Sequence, residues 1–334
     1  MDNLTHSLTG ALAAKIIETA RPAVADDLKQ KRKVFWLLIA SVNLPDIDVA
    51  LGFLGDPIFS ISHHRGVTHS LVFAPVLALF PAALFYFWGK LKNFKMLWLL
   101  AWIGILGHIF FDVITPFGTQ LFAPFSGTKY AWDWMFIIDP FFTGILVVTL
   151  LPGKLLKSRQ KQFIIGGSVF VVLYLSAEMI NHYSAYKRMD AALRREGIAA
   201  TKISALPQPL SIFRWMAMAQ TEQGVVQTFF SVFDDKDALS LTKYDNAQDE
   251  FVDRVMQTKD AQWYKTFARH PWIRSEQQGD HHVVELRDLQ FSIDKALLRA
   301  VGFAERPTPF ILRYNFSSNH AGTQIIFNGK SIQR

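Results

Sequence analysis

Residues 96–114 read MLWLLAWIGILGHIFFDVI, and only His108 and Asp112 in them can carry a charge. As a helix rising about 1.5 Å per residue, the stretch is roughly 28 Å long, close to the hydrocarbon thickness of a bilayer. Working outward, residues 70–88 contain no charged side chain. Between Val34 and Leu151 there are eleven charged side chains, five Lys or Arg and six Asp, with no Glu. A segment so poor in charge excludes an ordinary cytosolic enzyme and points to a polytopic membrane domain. The whole chain of 334 residues is 50% hydrophobic and 14% aromatic.

Six helical segments are expected, at 4–19, 34–54, 70–88, 96–114, 135–151 and 163–180. The first is short for a crossing, with Asp2 or Asn3 available to cap it. The second should break near Leu44, because Pro45 disfavours helical geometry at the residue before it. Lys29, Lys31, Arg32 and Lys33, then Lys90, Lys92 and Lys95, then Lys154, Lys157, Arg159 and Lys161 fall in alternate loops. By the positive-inside rule these loops face the cytoplasm. Alternation then places the N-terminus, the 55–69 and 115–134 loops and everything after residue 181 on the extracytoplasmic side, which is the periplasm in a two-membrane bacterium. The start lacks a basic leader, so no removable signal peptide is expected.

After Ile180 the composition is that of a soluble domain. The reading is therefore an all-α membrane domain at 1–181, followed by an extracytoplasmic α+β domain at 182–334. A hairpin is expected at Ser211–Asp234, a helix at Asn246–Arg269, and strands at 281–286, 308–317 and 322–328. The formal charge of +7 sits mainly in loops between apolar runs, so no nucleic-acid partner is expected. The chain has no cysteine, which removes disulfides, thiolate catalysis and Cys-based zinc sites.

Most ionisable residues between Val34 and Ile114, outside the lysine loops, fall in three clusters: Asp46 with Asp48; His63, His64, Arg65 and His69; and His108 with Asp112. The topology puts all three toward one face of the membrane. His108 and Asp112, four residues apart on a helix, share a face and can bind one divalent ion from a rigid support. Buried acids in an apolar segment also require compensation, and a cation supplies it. His6 is placed by the topology on the same side, either to complete the shell or to cap the first helix.

These residues carry a resemblance. Thr5-His6-Ser7-Leu8-Thr9-Gly10, Leu44-Pro45-Asp46-Ile47-Asp48, His63 through Ser70, and Gly107 through Thr119 resemble, in order, motifs of the YdjM/YbcI-type family of bacterial inner-membrane proteins. The likeness covers about residues 1–180, and the family is described as predicted membrane-bound metal-dependent hydrolases. The motif order is also similar to zinc-dependent phospholipase C and the single-strand-specific zinc nucleases. Those enzymes have a second His-x-x-x-Asp pair and an N-terminal Trp, which this chain lacks, so the resemblance carries one or two ions rather than three.

The expected metal ligands are His6, Asp46, His64, His69, His108 and Asp112, and the expected catalytic side chains are Asp48, Arg65 and His64. Imidazole and carboxylate without thiolate suit zinc, with manganese as the alternative. The chemistry expected is hydrolysis of a phosphoester in a phospholipid or lipid-linked substrate at the outer face of a bacterial inner membrane. Arg65 either holds the phosphate or pairs with Asp56 or a headgroup. Asp48 is either a second ligand or the carboxylate that orients His64 or His69. Asp133, flanked by Trp132 and Trp134, reads as interfacial. His281, His282 and Glu285 read as surface residues of a strand. The competing readings are a metal-stabilised, non-catalytic membrane scaffold and a transporter.

Overall fold

A computed structural model describes residues 1–20, 28–52, 55–89, 93–235, 239–300, 302, 308–317 and 323–332. Two compact units are present, one formed by residues 1–50 and 65–180, the other by 51–64 and 181–334.

The first unit is helical. Helix α1 (Asn3–Ala20) is capped by Asp2, whose carboxylate accepts the Thr5 N–H at 3.0 Å. Helix α2 (Leu28–Asn43) stops just before Leu44 and Pro45, and α3 (Ile47–Gly52) begins two residues after the proline. The 34–54 stretch is thus two helices and not one crossing.

The uncharged run at 70–88 is also divided. Residues 70–73 form a turn, followed by α5 (Ala74–Leu77) and α6 (Leu79–Gly89). Pro75 and Pro81 each sit in the first turn of one of these helices, where a missing N–H costs nothing. Helix α7 (Phe94–Val113) is continuous, and α8 (Pro140–Leu155) starts from Asp139, whose carboxylate accepts the N–H groups of Phe141 and Phe142.

Helix α9 (Gln160–Arg195) runs for 36 residues, far beyond the apolar segment that begins it. Among the described residues, α7 and α9 are long and apolar enough to cross a membrane, and the broken stretch at 57–87 makes a third if counted as one span. Helices stand in each of the six expected stretches, but six crossings are not confirmed: the apolar part of α8 is only Pro140–Pro152, and α1 and α2 are not among the candidate spans.

The second unit contains α4 (Pro57–His63) and two antiparallel sheets. One sheet has the order β1 (Lys202–Pro207), β2 (Arg214–Gln220), β3 (Gly224–Ser231), β4 (Thr242–Asp245). The expected hairpin is β2 with β3, Gln220 opposite Val225. Alternation along β2 supplies two cores: Trp215, Ala217 and Ala219 face Ala185, Met189 and Leu193 of α9, while Met216 and Met218 pack with Leu206, Val225 and Leu289.

The second sheet has the order β5 (Pro271–Gln278), β6 (His281–Asp288), β7 (Leu312–Ser317), β8 (Thr323–Phe327), β9 (Lys330–Ile332). The single helix expected at 246–269 is two, α10 (Glu250–Met256) and α11 (Lys259–Phe267), because Thr258 caps the second by accepting the Ala261 N–H at 3.2 Å. Helix α4 packs on α11, with Phe59 edge-on to Trp263 at 5.1 Å.

Candidate metal centre

Small residues bring three helices together around the candidate centre. A Cβ on Gly10 of α1 would lie 2.7 Å from Val42 Cγ2 and 3.2 Å from the Leu38 carbonyl, both on α2. A Cβ on Gly104 of α7 would lie 2.9 Å from Ser41 Cβ, also on α2. Such glycines permit close helix approach in an apolar domain. With α1 and α7 both drawn against α2, the His6 ring stacks on His108 at a centroid distance of 3.8 Å.

Four side chains from three separate segments converge: Asp46 from the turn after α2, His69 from the short 3-10 turn Val67–His69, and His108 and Asp112 from α7. His69, His108 and Asp112 are fully buried. His69 Nε2 lies 3.3 Å from Asp46 Oδ1 and 3.3 Å from Asp112 Oδ2. His108 Nε2 lies 3.0 Å from His69 Nε2, 3.3 Å from Asp112 Oδ2 and 3.6 Å from Asp46 Oδ1. Bonds of about 2.0–2.2 Å from a central ion to N and O ligands give tetrahedral edges of roughly 3.3–3.6 Å. The spacing therefore fits four ligands sharing one cation.

The hydrogen bonds around the rings assign their tautomers. Helix α2 ends at Asn43, so the Val42 carbonyl is one of the last-turn acceptors with no partner inside the helix. It accepts from His108 Nδ1 at 2.5 Å, which leaves Nε2 of a neutral ring bare. Thr68 Oγ1 donates its one proton to Asp48 Oδ2 at 3.1 Å and is 3.0 Å from His69 Nδ1. That nitrogen must then carry a proton to donate, and His69 Nε2 is bare as well. With both rings neutral, two bare nitrogens 3.0 Å apart face two carboxylate oxygens, the donor set that a divalent cation takes.

Asp48 lies outside the four. It accepts from the Arg65 N–H at 3.1 Å and sits 3.5 Å from His69 Nδ1, so of the two roles open to it the geometry is that of the carboxylate orienting His69. Asp56 caps α4 by accepting from the N–H groups of Ile58 and Phe59, and the Arg65 guanidinium is engaged within the first unit. Its Nε lies 3.0 Å from Asp112 Oδ2, and its Nη1 donates to the Asp112 carbonyl at 3.1 Å and to Thr115 Oγ1 at 3.0 Å. The guanidinium is thus committed to holding Asp112. Arg65 has φ of 60°, a left-handed conformation uncommon outside glycine, and its carbonyl accepts the Gln120 N–H at 2.9 Å.

His6 reaches the other oxygen of Asp112, Oδ1, at 3.3 Å, and the Met1 amine bonds to the same atom. His6 therefore contacts a ligand and lies outside the set of four. His64 also lies outside it. It caps the C-terminal end of α4 through its backbone N–H to Ser60, within the second unit, and His69 is the histidine of that motif at the centre. Asp133, with φ of 57°, is buried but is not among the four. The Val42 carbonyl and the role of Thr68 were not anticipated; the neighbouring Pro45 and the adjacency of Thr68 to His69 are the signals that could have found them.

Residues 1–185 match the model of the YdjM inner membrane protein family. The chain is 31% identical over 141 residues to the uncharacterized protein YfhP of Bacillus subtilis (strain 168), which is 42% of each chain. It is 30% identical over 115 residues to the inner membrane protein YbcI of Escherichia coli (strain K12), covering 34% of this chain and 59% of that one. The matches thus span about half the length of these relatives. No solved structure matches.

Proposed function

The chain belongs to the YdjM inner membrane protein family, and from that premise we propose that it is a membrane-embedded hydrolase that uses one divalent cation, zinc or manganese, to cleave a phosphoester. The observation that carries the reading is the convergence of two ring nitrogens and two carboxylates, three of the four side chains fully buried, within reach of one ion. His69, His108, Asp46 and Asp112 would hold the ion, which would supply hydroxide at neutral pH and withdraw charge from a phosphoryl oxygen. Asp48 fixes the His69 ring, the Val42 carbonyl fixes the His108 ring, and Arg65 with the Met1 amine offsets the charge of Asp112. His6 Nδ1 is buried without a hydrogen-bond partner. It is the group positioned to take or give a proton beside the ligands.

A second reading has a specific observation behind it. Four protein ligands at tetrahedral spacing fill the coordination shell of a structural ion, which needs no open position, and the ligands come from three segments of the helical unit. Six-coordinate manganese on the same four ligands would leave two positions open.

Metal analysis and a phosphoester screen on the purified full chain separate the two readings. The protein should contain zinc or manganese, His108→Ala combined with Asp112→Ala should abolish it, and the wild type should cleave a phosphoester in a metal-dependent manner. Metal retained by the double variant refutes the ligand set. Metal lost on chelation with a fall in melting temperature, and no ester cleaved, establishes the structural role instead. The alternation of basic loops supports a candidate centre and a second unit outside the cytoplasm. A reporter fused after residue 190 should register as extracytoplasmic, and a cytoplasmic signal would overturn that topology.

A further inference from the structure

Helix α7 has two faces with different fates. Leu99, Ile103 and Phe110 are exposed at 46%, 44% and 38%, and at about 100° per residue they form one stripe along the helix. His108 and Asp112 lie on the opposite side and are fully buried. In a span, the exposed apolar stripe is the lipid-facing one.

The loop that follows α7 continues that stripe. Trp132 lies against Phe110 at a ring-centroid distance of 6.0 Å and against Trp134 at 4.9 Å. Phe122 and Tyr130 meet edge to face at 5.6 Å, and Phe125 is 82% exposed. The loop is held to the helix end: the Trp132 N–H donates to the Val113 carbonyl at 2.7 Å and the Trp134 N–H to Ile114 at 2.9 Å. Thr119 and Tyr130 exchange backbone hydrogen bonds of 2.9 Å in each direction. A fixed loop that exposes Phe, Tyr and Trp in line with a lipid-facing stripe has the chemistry of a membrane–water boundary.

The helix supplies the depth. Phe94 and Phe110 are separated by about 24 Å along the axis, a little under the roughly 30 Å of hydrocarbon. His108 and Asp112 flank Phe110 by two residues on either side, which puts them within about 3 Å of its height.

We propose that residues 119–134 form an interfacial collar inserted at the lipid headgroup level, which seats the candidate metal centre beside the headgroups, so that the phosphoester it meets is carried by an amphiphile of that leaflet. The collar stands on the geometry above; the substrate class rests on the hydrolase reading.

The chain has no cysteine, so single labels are unambiguous. Phe125→Cys, Phe122→Cys and Trp132→Cys are each spin-labelled in the full-length protein, in nanodiscs of phosphatidylethanolamine and phosphatidylglycerol. Leu99→Cys serves as the deep reference, and Phe233→Cys, exposed in the second unit, as the aqueous one. Collision with oxygen is compared with collision with a water-soluble nickel chelate. The collar labels should lie between the references, with nickel collision several-fold below that at position 233. Nickel access equal to that at position 233 for all three would overturn the proposal. Because the readout needs no turnover, interfacial labels on a protein that cleaves no ester would uphold the collar and reject the hydrolase reading alone.

Discussion

Replacing Asp48 by asparagine changes one atom and divides the two roles that a carboxylate near a metal centre can have. Asp48 Oδ2 accepts from the Arg65 N–H and the Thr68 hydroxyl at 3.1 Å each and lies 3.5 Å from His69 Nδ1. An asparagine keeps a single acceptor oxygen, and in the flipped state it turns an NH2 toward three donors. The Thr68 hydroxyl that holds His69 Nδ1 at 3.0 Å then loses its charged acceptor, and with it the charge that aims the ring, while the four candidate ligand atoms remain. Loss of such an orienting partner lowers metal affinity about 10–100-fold, or about 1.4–2.7 kcal/mol. Competition between the detergent-solubilised protein and a zinc-chelating dye reads this directly. Unchanged affinity would mean that Asp48 does not orient His69. A loss as complete as that of Asp46→Ala would mean that Asp48 is itself a ligand, and either result refutes the arrangement described.

Two further outcomes follow from packing and charge. Gly10→Ala places a methyl 2.7 Å from Val42 Cγ2 and 3.2 Å from the Leu38 carbonyl, and should cost about 1–3 kcal/mol, read as a lower melting temperature. The control is Gly107→Ala, whose Cβ meets nothing within 4 Å and which should be neutral or stabilising. In the second unit, burial first and then the charges of Arg269 and Lys202 hold His270 well below its ordinary pKa, and neither ring nitrogen has a hydrogen-bond partner. The folded form therefore resists a proton that the unfolded form accepts near pH 6.5. Stability is complete above that pH and falls by up to about 1.4 kcal/mol per unit below it. The opening free energy of β5 from hydrogen exchange, with the intrinsic pH dependence of exchange divided out, should fall between pH 7 and pH 5 in the wild type and much less in His270→Leu; an equal fall in both would remove His270 as the cause.

The membrane character of the first half was legible because a charge-poor run of bilayer length is difficult to keep soluble in water. The ligand positions were legible for a related reason: Asp46, His69, His108 and Asp112 are ionisable residues where such groups are scarce. That His69 stands in the cluster and His64, expected beside it, does not was not legible, since it depends on the left-handed backbone at Arg65 and the 3-10 turn after it. The break at Pro45 was legible, whereas the division of the uncharged run at 70–88 into α5 and α6 was not, because hydropathy does not register a turn inside an apolar run. In the second unit β7 could be read from alternation, with Leu312, Tyr314 and Phe316 buried, whereas β1, whose buried residues run together from Ser204 to Pro207, offers no period of two.

The interruption of α2 has a wider consequence. Were Pro45 exchanged for a residue that lets the coil wind on, the amide of Asp46 would claim the Val42 oxygen, and an imidazole far along the polypeptide would be free to swap its proton to the wrong side. Protonic identity here is thus dictated by a break in the backbone and not by a donor atom. Anyone transplanting this quartet into a designed scaffold would have to carry the truncated helix along with it.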